Sequence, residues 1–475
     1  MTDYRATIVK SLKRVSGEFW SLLSEPEYLV VILGLVFGLL ILIFTPPFMA
    51  CDEPQHIYNS YKLSEGRVLY TKSQDMIGSY IPASFYQTFN QLNVEPMISS
   101  SVGKASPDLI VGAFKIPLRA GDKIFMAGYI QYPPLCYIPQ AIGMAIGHLF
   151  RGPPILLIYL GRLFNLLAVL FIAFITIRIT PLLKWTFFLL FMMPVTLFQA
   201  SSNSADGMTI AISFLAAAFF FRLAFDPSKE SLAKKDMILL VVLTLALATI
   251  KMPYFLIIFG FFIIPWKRFG SKRKYLLTFG AMLLVVFILF ALWQLVIVRA
   301  AAPAGAPAIP GANSVLTETL SHPINFLKLQ WHRMSLRGLY MSEMVESVGW
   351  WNVDAQWWLW PLFMFTLIAV TALDKRDDIV VKRWQRALSL VLFLGIIEII
   401  IVLLHIMMDP VNATFTTAKD WLNGRYFIPA LTFGALVLYN KSIAYKKTRF
   451  FYVAVNGLTL VFLIATVTMI IQRFY

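Results

Sequence analysis

The sequence predicts an all-α polytopic membrane protein with about 11 transmembrane helices. Two observations on composition predict this class: 59% of the 475 residues are hydrophobic and only 14% are charged. A third observation, a mean hydropathy of +0.71, predicts the same class. A soluble protein covers its surface with polar and charged side chains, and this composition has too few of them. We therefore expect a single membrane domain, residues 1–475, in a lipid bilayer.

Apolar runs long enough to cross a hydrocarbon core of about 30 Å recur along the chain. One run, Met237–Trp266, is interrupted by Lys251-Met252-Pro253. Because proline cannot continue a helix without losing a backbone hydrogen bond, we predict two helices that meet at this point. The other predicted spans are Tyr28–Phe44, Ile155–Ile177, Trp185–Ala200, Met208–Phe225, Tyr275–Val298, Trp358–Leu373, Ala387–Met407, Tyr426–Tyr439 and Phe450–Ile471.

The Lys and Arg residues predict the orientation of the chain. The apolar segment Pro134–Phe150 is short, and if it crossed the bilayer the basic loops after it would lie outside, against the positive-inside bias. If it lies in the outer interface instead, 24 of the 41 Lys and Arg residues lie on the inner side. We therefore expect a cytosolic N-terminus and two long extracytoplasmic loops, residues 46–154 and 299–357. The first loop holds the interfacial helix.

Several classes of function are disfavoured by the sequence. The net charge of +16 is explained by the inner loops, and no basic stripe interleaved with aromatic residues predicts binding to nucleic acid. No glycine-rich phosphate loop follows a predicted strand, and His and Cys do not occur at zinc spacing. No cofactor is therefore predicted, although a divalent cation remains open. We expect Cys51 and Cys136 to be free buried thiols rather than a disulfide.

Two adjacent carboxylates, Asp52 and Glu53, follow directly after the first predicted span. Ionisable side chains near a bilayer are costly unless they are paired or hydrated, which makes each of them a functional candidate. Asp52 has the chemistry of a general base, which needs a carboxylate within hydrogen-bond reach of a hydroxyl. Glu53 could orient Asp52, hold a cation or bind a sugar. The alternative for both is a helix cap or a simple loop charge.

Basic residues of other segments are expected at the same outer face. Lys251 and Arg425 are candidates for binding a phosphate, to which Arg offers a planar fork and Lys a point charge. The alternative is a helix-end cation that extends to the interface. Asp206 opens a helix and is equally compatible with a site contact and an N-terminal cap. Glu398 and His405 lie within the ninth predicted span, and the sequence assigns them no role.

A set of segments spread over most of the chain accompanies these charged residues: Asp52 to His56 with Tyr58, Tyr61 to Gly66, Gln131 to Leu135, Tyr137 to Gly147, Gly161 to Asn165, Met193-Pro194, Phe198 to Gly207, Lys251 with Pro253-Tyr254, and Gly424 to Pro429. Together they resemble the DUF2142 group of predicted bacterial membrane proteins, which looks related to the GT-C superfamily of glycosyltransferases that use lipid-phosphate sugars. Two departures, Ala50-Cys51 where the pattern favours Pro-Pro and Met252 where it favours Pro, leave the charged positions intact.

The resemblance implies a GT-C-like fold in a bacterial plasma membrane, with an acidic motif and interfacial helices in the long first loop. It also implies inverting transfer of a sugar from a polyprenyl-phosphate donor to an envelope or cell-wall glycan acceptor. The residues concerned fall into three groups: catalytic Asp52 and Glu53; donor phosphate-binding Arg425, Lys251, His56 and Arg162; and substrate-binding Asp206, Tyr58, Tyr132, Gln131 and Tyr426. The alternatives are a transporter or flippase for a lipid-linked saccharide and a non-catalytic assembly subunit.

Overall fold

Most of the described chain is helical. The computed structural model describes residues 20, 22–73, 76–100, 103–127, 132–301, 317, 319–350, 352–353, 356–408, 422–440 and 447–475. The first loop begins after helix α1 (Pro26–Phe44) and contains α2 (Glu53–Ser64), β1 (Thr71–Ser73), β2 (Met76–Pro82), α3 (Ala83–Gln91), α4 (Val94–Ser99), α5 (Pro107–Ala113), β3 (Lys123–Ala127), a 3-10 turn (Pro134–Tyr137) and α6 (Ile138–Leu149).

The remaining helices follow the first loop. They are α7 (Pro154–Ile179), α8 (Lys184–Phe191), α9 (Pro194–Ala200), α10 (Ala205–Phe225), α11 (Lys234–Ala248), a 3-10 helix (Met252–Ile263), a 3-10 turn (Trp266–Phe269), α12 (Lys272–Ala301), α13 (Pro323–Ser335), α14 (Arg337–Glu346), α15 (Leu359–Leu373), α16 (Arg383–Met408), a 3-10 helix (Gly424–Ala430), α17 (Leu431–Leu438) and α18 (Arg449–Phe474).

Six helices in the described ranges are long and apolar enough to cross a membrane: α1, α7, α10, α12, α16 and α18. The predicted membrane character of the chain is thus confirmed. Three further apolar segments are shorter, Met252–Ile263, Leu359–Leu373 and Gly424–Leu438. Two of the three contain 3-10 helix, which is wound more tightly and usually occurs in short pieces.

Proline explains the broken segments. Helix α11 ends at Ala248, and a 3-10 helix with Pro253 in its first turn begins at Met252, as predicted from the missing N–H of proline. The predicted span Trp185–Ala200 is likewise divided, because Pro194 lies in the first turn of α9. Every residue of α9 is buried, so the division lies inside the protein.

A small sheet in the first loop corrects the all-α prediction. Strands β1, β2 and β3 form a three-stranded antiparallel sheet, in which Gly78 of β2 lies opposite both Thr71 and Ala127. Ile81 of β2 is buried whereas its neighbour Tyr80 is exposed, which is the alternation expected of a strand with one packed face. Only β1 is very short, with three residues; the pairing of β2 with the distant β3 leaves no signal in the sequence.

The predicted interfacial helix Pro134–Phe150 corresponds to the 3-10 turn and helix α6. One face of α6 packs closely on α7, because a Cβ at Gly143 would lie 2.3 Å from the carbonyl oxygen of Leu160. At the end of α6, Leu149 and Phe150 are highly exposed. Helix α6 therefore buries one face against α7 and exposes apolar side chains at its end, and its predicted place in the outer interface stays a prediction.

The two long loops meet the C-terminal end of α18. The Arg473 guanidinium donates hydrogen bonds to the carbonyl oxygens of Asn352 (2.6 Å), Gly103 (2.7 Å), Met97 (2.9 Å) and Ser100 (2.9 Å). Near the opposite end of α18, the Asp374 carboxylate accepts hydrogen bonds from Lys447 Nζ (2.5 Å) and the Trp185 N–H (2.7 Å). Both long loops therefore lie at one end of the helical bundle.

Candidate functional site

The acidic motif occupies the tight connection between α1 and α2. Asp52 precedes α2 with φ +63°, in the left-handed region that Asp tolerates better than most residues. Pro54 lies in the first turn of α2, where its missing N–H costs nothing. From the second loop, Trp350 Nε1 donates a 3.0 Å hydrogen bond to the Phe48 carbonyl oxygen. The connection is therefore fixed from several sides.

Glu53 forms a fully buried ion pair with Arg162 of α7. Arg162 Nε and Nη2 donate to Glu53 Oε1 and Oε2 at 2.7 and 2.6 Å, and both side chains have 0% exposure. The guanidinium also donates to the carbonyl oxygens of Leu42, Thr45 and Pro46. Glu53 Oε1 further accepts the Asn203 N–H at 3.0 Å.

These partners occupy both groups. The hydrogen-bonding atoms of the pair are already engaged and neither side chain is exposed to solvent. The pair therefore has no hydrogen-bonding group left for a substrate. The geometry therefore corrects two sequence-based assignments: we assign Glu53 and Arg162 a structural role, in place of catalysis and phosphate binding. The pair fixes the start of α2 against α7, directly beside Asp52.

Asp52, Arg425, Asp206 and Lys251 form a second cluster of charges. Arg425 Nη2 lies 3.5 Å from Asp52 Oδ2, and Arg425 Nε lies 3.1 Å from Asp206 Oδ2. Lys251 forms an ion pair with Asp206. Asp52 is the more accessible carboxylate, since its side chain is 25% exposed whereas that of Asp206 is 7% exposed. Four segments that are distant in sequence thus converge at one end of the bundle.

Asp206 is not the cap of its helix. Ser204 is the N-cap residue of α10, and its side chain accepts a hydrogen bond from the Asp206 N–H at 3.1 Å. This leaves the Asp206 carboxylate to bind the two cations. The N-terminus of a helix favours a negative charge, so the position itself stabilises the carboxylate. Of the two readings open from the sequence, the geometry favours the site contact.

The second loop positions Arg425. Asn423 caps the 3-10 helix by accepting the Arg425 N–H at 2.9 Å, and its Nδ2 donates to Ser347 Oγ at 2.9 Å. The Gly424 N–H donates to Glu343 Oε2 of α14 at 2.8 Å. A Cβ at Gly424 would lie 2.0 Å from the Tyr340 carbonyl oxygen, so only glycine permits this approach of the two backbones.

The Arg425 guanidinium retains unused donors in a buried position. The side chain is 3% exposed, and its Nη1 has no hydrogen-bond partner among the residues that the structure describes. A buried donor without a partner is costly in a native protein and calls for an explanation such as a bound group. An anion would satisfy it, because guanidinium binds the oxygens of carboxylate and phosphate in a fixed geometry.

Aromatic side chains line the cationic part of the cluster. Lys251 Nζ lies 4.6 Å from the ring centroid of Tyr132 and 5.0 Å from that of Tyr426. His56 stacks on Tyr132 with centroids 5.8 Å apart, and its Nδ1 lies 2.8 Å from Tyr137 Oη. Rings at these distances attract a cation through their negative faces. They also exclude water around Lys251.

Burial determines the charge of His56. Desolvation lowers the pKa of its imidazole to about 4, because burial disfavours the charged form of a base. The ring is therefore neutral at physiological pH and does not supply the positive charge that was expected of it at a phosphate. Its nitrogen atoms remain able to donate or accept a hydrogen bond.

The remaining predicted residues divide into two groups. Tyr426 lies in the cluster, and its carbonyl oxygen accepts a 2.8 Å hydrogen bond from Tyr254 Oη. Tyr58 is 4% exposed. Burial, with a smaller effect of Tyr86, raises the pKa of its hydroxyl, and its place at the substrate stays a prediction. Gln131 lies outside the described residues.

Both cysteines are free and buried, which confirms the prediction made from their isolation. Burial raises the pKa of the Cys51 thiol to about 12 and that of the Cys136 thiol to about 11, so neither is a reactive thiolate. In the described part of the chain, no three His, Cys, Asp or Glu side chains lie close enough together to hold a metal ion.

Sequence reasoning missed the residues that support the site. Tyr137, Asn203 and Tyr254 bind predicted site residues or their backbone. Glu343 binds the N–H of Gly424, the residue before Arg425. Each is a polar side chain in a segment that the sequence had already singled out or in a predicted loop. What the sequence lacked was any signal of their partners, which lie on other segments.

Comparison with known proteins identifies a family and nothing finer. A family described as a predicted membrane protein, DUF2142, matches residues 35–433. The matched range includes Asp52, Glu53, Arg162, Asp206, Lys251 and Arg425. No curated protein matches the chain, and no solved structure matches it.

Proposed function

The chain belongs to the DUF2142 family of predicted membrane proteins, and we propose that it is a GT-C-type membrane glycosyltransferase. In this proposal it transfers a sugar from a polyprenyl-phosphate donor to an envelope or cell-wall glycan, with inversion at the anomeric carbon. The observation that supports it best is the pairing of a partly exposed carboxylate, Asp52, with a buried guanidinium, Arg425. A base and a phosphate-binding cation are the two groups that this reaction requires.

Each group has a defined role in the proposed step. Asp52 accepts the proton of the acceptor hydroxyl while the hydroxyl oxygen forms a bond to the anomeric carbon. The bond between that carbon and the phosphate oxygen breaks, and its electron pair leaves with the lipid phosphate. Arg425 and Lys251 stabilise the negative charge that develops on the phosphate. The products are the glycosylated acceptor, polyprenyl phosphate and a protonated Asp52.

The ion pairs at the site indicate the order in which the donor binds and the base becomes active. Arg425 is bound to Asp52 and Asp206, and Lys251 is bound to Asp206, so the cluster pairs two cations with two carboxylates. A donor phosphate would compete with the two carboxylates for the guanidinium and bind the unused Nη1. The backbone of Asp52 would stay anchored by the neighbouring Glu53. Its carboxylate would lose its contact with Arg425 and become available to the acceptor hydroxyl. Donor binding therefore precedes activation of the base.

The finer topology belongs to the same proposal. We propose about 11 spans in a bacterial plasma membrane, with the N-terminus in the cytosol and the site on the extracytoplasmic side. Support comes from the bias of Lys and Arg toward the loops at one end of the bundle. A further support is that both long loops and the last turn of α18 lie together at the other end.

The alternatives have less support. A transporter would use ionisable residues near the bilayer midplane, for which Glu398 and His405 were the candidates. His405 lies in the last turn of α16, where its ring is 5.5 Å from that of Phe326. Its position is thus explained by packing against the second loop. No particular contact supports a non-catalytic subunit. The buried, unused Nη1 donor of Arg425 disfavours it.

Transfer of radiolabel tests the proposal. The purified protein is incubated with a panel of polyprenyl-phosphate-linked radiolabelled sugars and with envelope glycan as acceptor. We expect transfer by the wild type and its loss in Asp52→Asn, because the amide cannot accept the proton. Asp377→Asn is the matched control, since that carboxylate is 88% exposed and outside the cluster. Equal transfer by the wild type and Asp52→Asn would exclude Asp52 as the base.

A further inference from the structure

Helix α13 in the second loop has an apolar face that no other part of the described chain covers. Ile324, Leu327 and Trp331 follow the spacing of one helical face and are 67%, 65% and 80% exposed. The opposite face is packed against the protein, with Leu329, Gln330 and Arg333 buried. The exposed face is thus a continuous surface of large apolar side chains on an otherwise well-packed helix.

The place of α13 in the fold indicates what covers this face. His405 lies at the end of α16, which is one of the helices able to cross a membrane. Thr319 Oγ1, just before α13, is 3.2 Å from His405 Nε2, and the Phe326 ring of α13 packs at a tilt against the same imidazole with centroids 5.5 Å apart. The helix is therefore attached where α16 leaves the hydrocarbon, which is the level of the lipid headgroups.

Charge supports the same occupant. Between Glu318 and Glu343 the sequence contains no acidic residue but contains Lys328, Arg333 and Arg337. Lys328 is exposed beside the apolar face. A helix with large apolar residues and Trp on one face and basic residues at its flank binds in the plane of a membrane surface, with a preference for anionic lipids.

We propose that α13 is an interfacial helix that inserts Ile324, Leu327 and Trp331 into the lipid leaflet on the side of the site, with anionic headgroups at Lys328. Only Leu336 separates α13 from α14, whose Tyr340 and Glu343 fix the backbone at Gly424. Binding of α13 to the leaflet therefore stabilises the position of Arg425. This role is independent of the reaction proposed above.

A fluorescent label on full-length protein in vesicles tests the insertion. Leu327→Cys is labelled with an environment-sensitive nitrobenzoxadiazole dye, and Asn325→Cys, on the exposed polar flank of the same helix, is the matched control. The native cysteines are buried, and labelling of the wild type measures their background. We expect a nitroxide on the acyl chain of phosphatidylcholine to quench the dye at residue 327 several-fold more than at residue 325.

The lipid preference is tested in the same system. Adding phosphatidylglycerol to the phosphatidylcholine vesicles is expected to favour the inserted helix by about fivefold, the effect of one basic residue near an anionic surface. Lys328→Gln is expected to remove this increase without abolishing the quenching. Equal, water-like emission from residues 325 and 327 would overturn the proposal. So would efficient disulfide formation between two unlabelled Leu327→Cys chains, because a second copy would then cover the face.

Discussion

Asp52 and Glu53 are neighbours in sequence, yet the structure gives their carboxylates opposite environments. Glu53 binds Arg162 through two hydrogen bonds with both side chains at 0% exposure, whereas Asp52 is 25% exposed and lies 3.5 Å from Arg425. The left-handed backbone of Asp52 separates the directions of the two side chains. One carboxylate is therefore available for anchoring and the other for chemistry.

We predict that Glu53→Gln destabilises the protein by about 3–5 kcal/mol, because it leaves the buried Arg162 without a negative partner. The measurement is the free energy of unfolding of the purified protein in detergent. Arg162→Lys should also be destabilising, since an ammonium cannot bind both carboxylate oxygens in the same plane. Stability equal to that of Asp377→Asn in either variant would show that the pair does not anchor α2.

We predict energetic coupling between Asp206 and Lys251. Asp206→Asn and Lys251→Met each remove one member of a buried ion pair, so the double variant should lose less stability than the sum of the two single losses. A coupling of about 1–3 kcal/mol is expected from a double-mutant cycle of unfolding free energies. Strict additivity would mean that Lys251 extends to the interface and does not depend on Asp206.

We predict that Gly424→Ala lowers sugar transfer even by the fraction of the protein that remains folded. The new methyl group would overlap the Tyr340 carbonyl oxygen and lie 2.7 Å from the Met344 nitrogen, so the backbone that bears Arg425 has to move. Gly457→Ala is the control, because a Cβ there meets nothing within 4 Å. Sugar transfer by the folded fraction is the measurement. If Gly424→Ala and Gly457→Ala transfer sugar equally, the close approach does not position Arg425.

We predict that His56 makes stability depend on pH. Its pKa is lowered from 6.5 to about 4, so between these values the unfolded chain binds more protons than the folded one. Stability from this residue is therefore complete above pH 6.5 and decreases as pH falls toward 4, by up to about 3 kcal/mol.

The measurement compares the wild type with His56→Asn, whose amide retains a hydrogen-bonding group near Tyr137. The difference in unfolding free energy between pH 7 and pH 5 should be smaller in His56→Asn. Other groups titrate in both proteins, so only the difference between them reports on His56. An identical pH dependence in the two proteins would contradict a neutral, buried imidazole.

The sequence predicted which charged residues meet, because an ionisable group near a bilayer needs a partner or water. Asp52, Asp206, Lys251 and Arg425 are indeed brought together. The sequence was less informative about which residues pair with one another. Glu53 and Asp52 are adjacent, and nothing in their order reveals that one is turned toward α7 and the other toward Arg425.

The parts that were not predicted depend on contacts between distant segments. The sheet depends on the pairing of β2 with β3, which lies in a distant segment of the first loop. The role of Gly424 follows only from the close approach of α14. That helix belongs to a loop whose sequence shows no strong hydrophobic period. The exposure of the apolar face of α13 depends on which segments pack against the other face of the helix, and the sequence does not show them.

The central claim is that Asp52 activates the acceptor while Arg425 binds the donor phosphate. Binding and turnover of a radiolabelled polyprenyl-phosphate sugar, measured side by side in Asp52→Asn and Arg425→Gln, test it most directly. We predict that Asp52→Asn binds the donor at least as tightly as the wild type but does not transfer the sugar, and that Arg425→Gln loses binding. Wild-type transfer by Asp52→Asn, or wild-type donor binding by Arg425→Gln, would contradict the account.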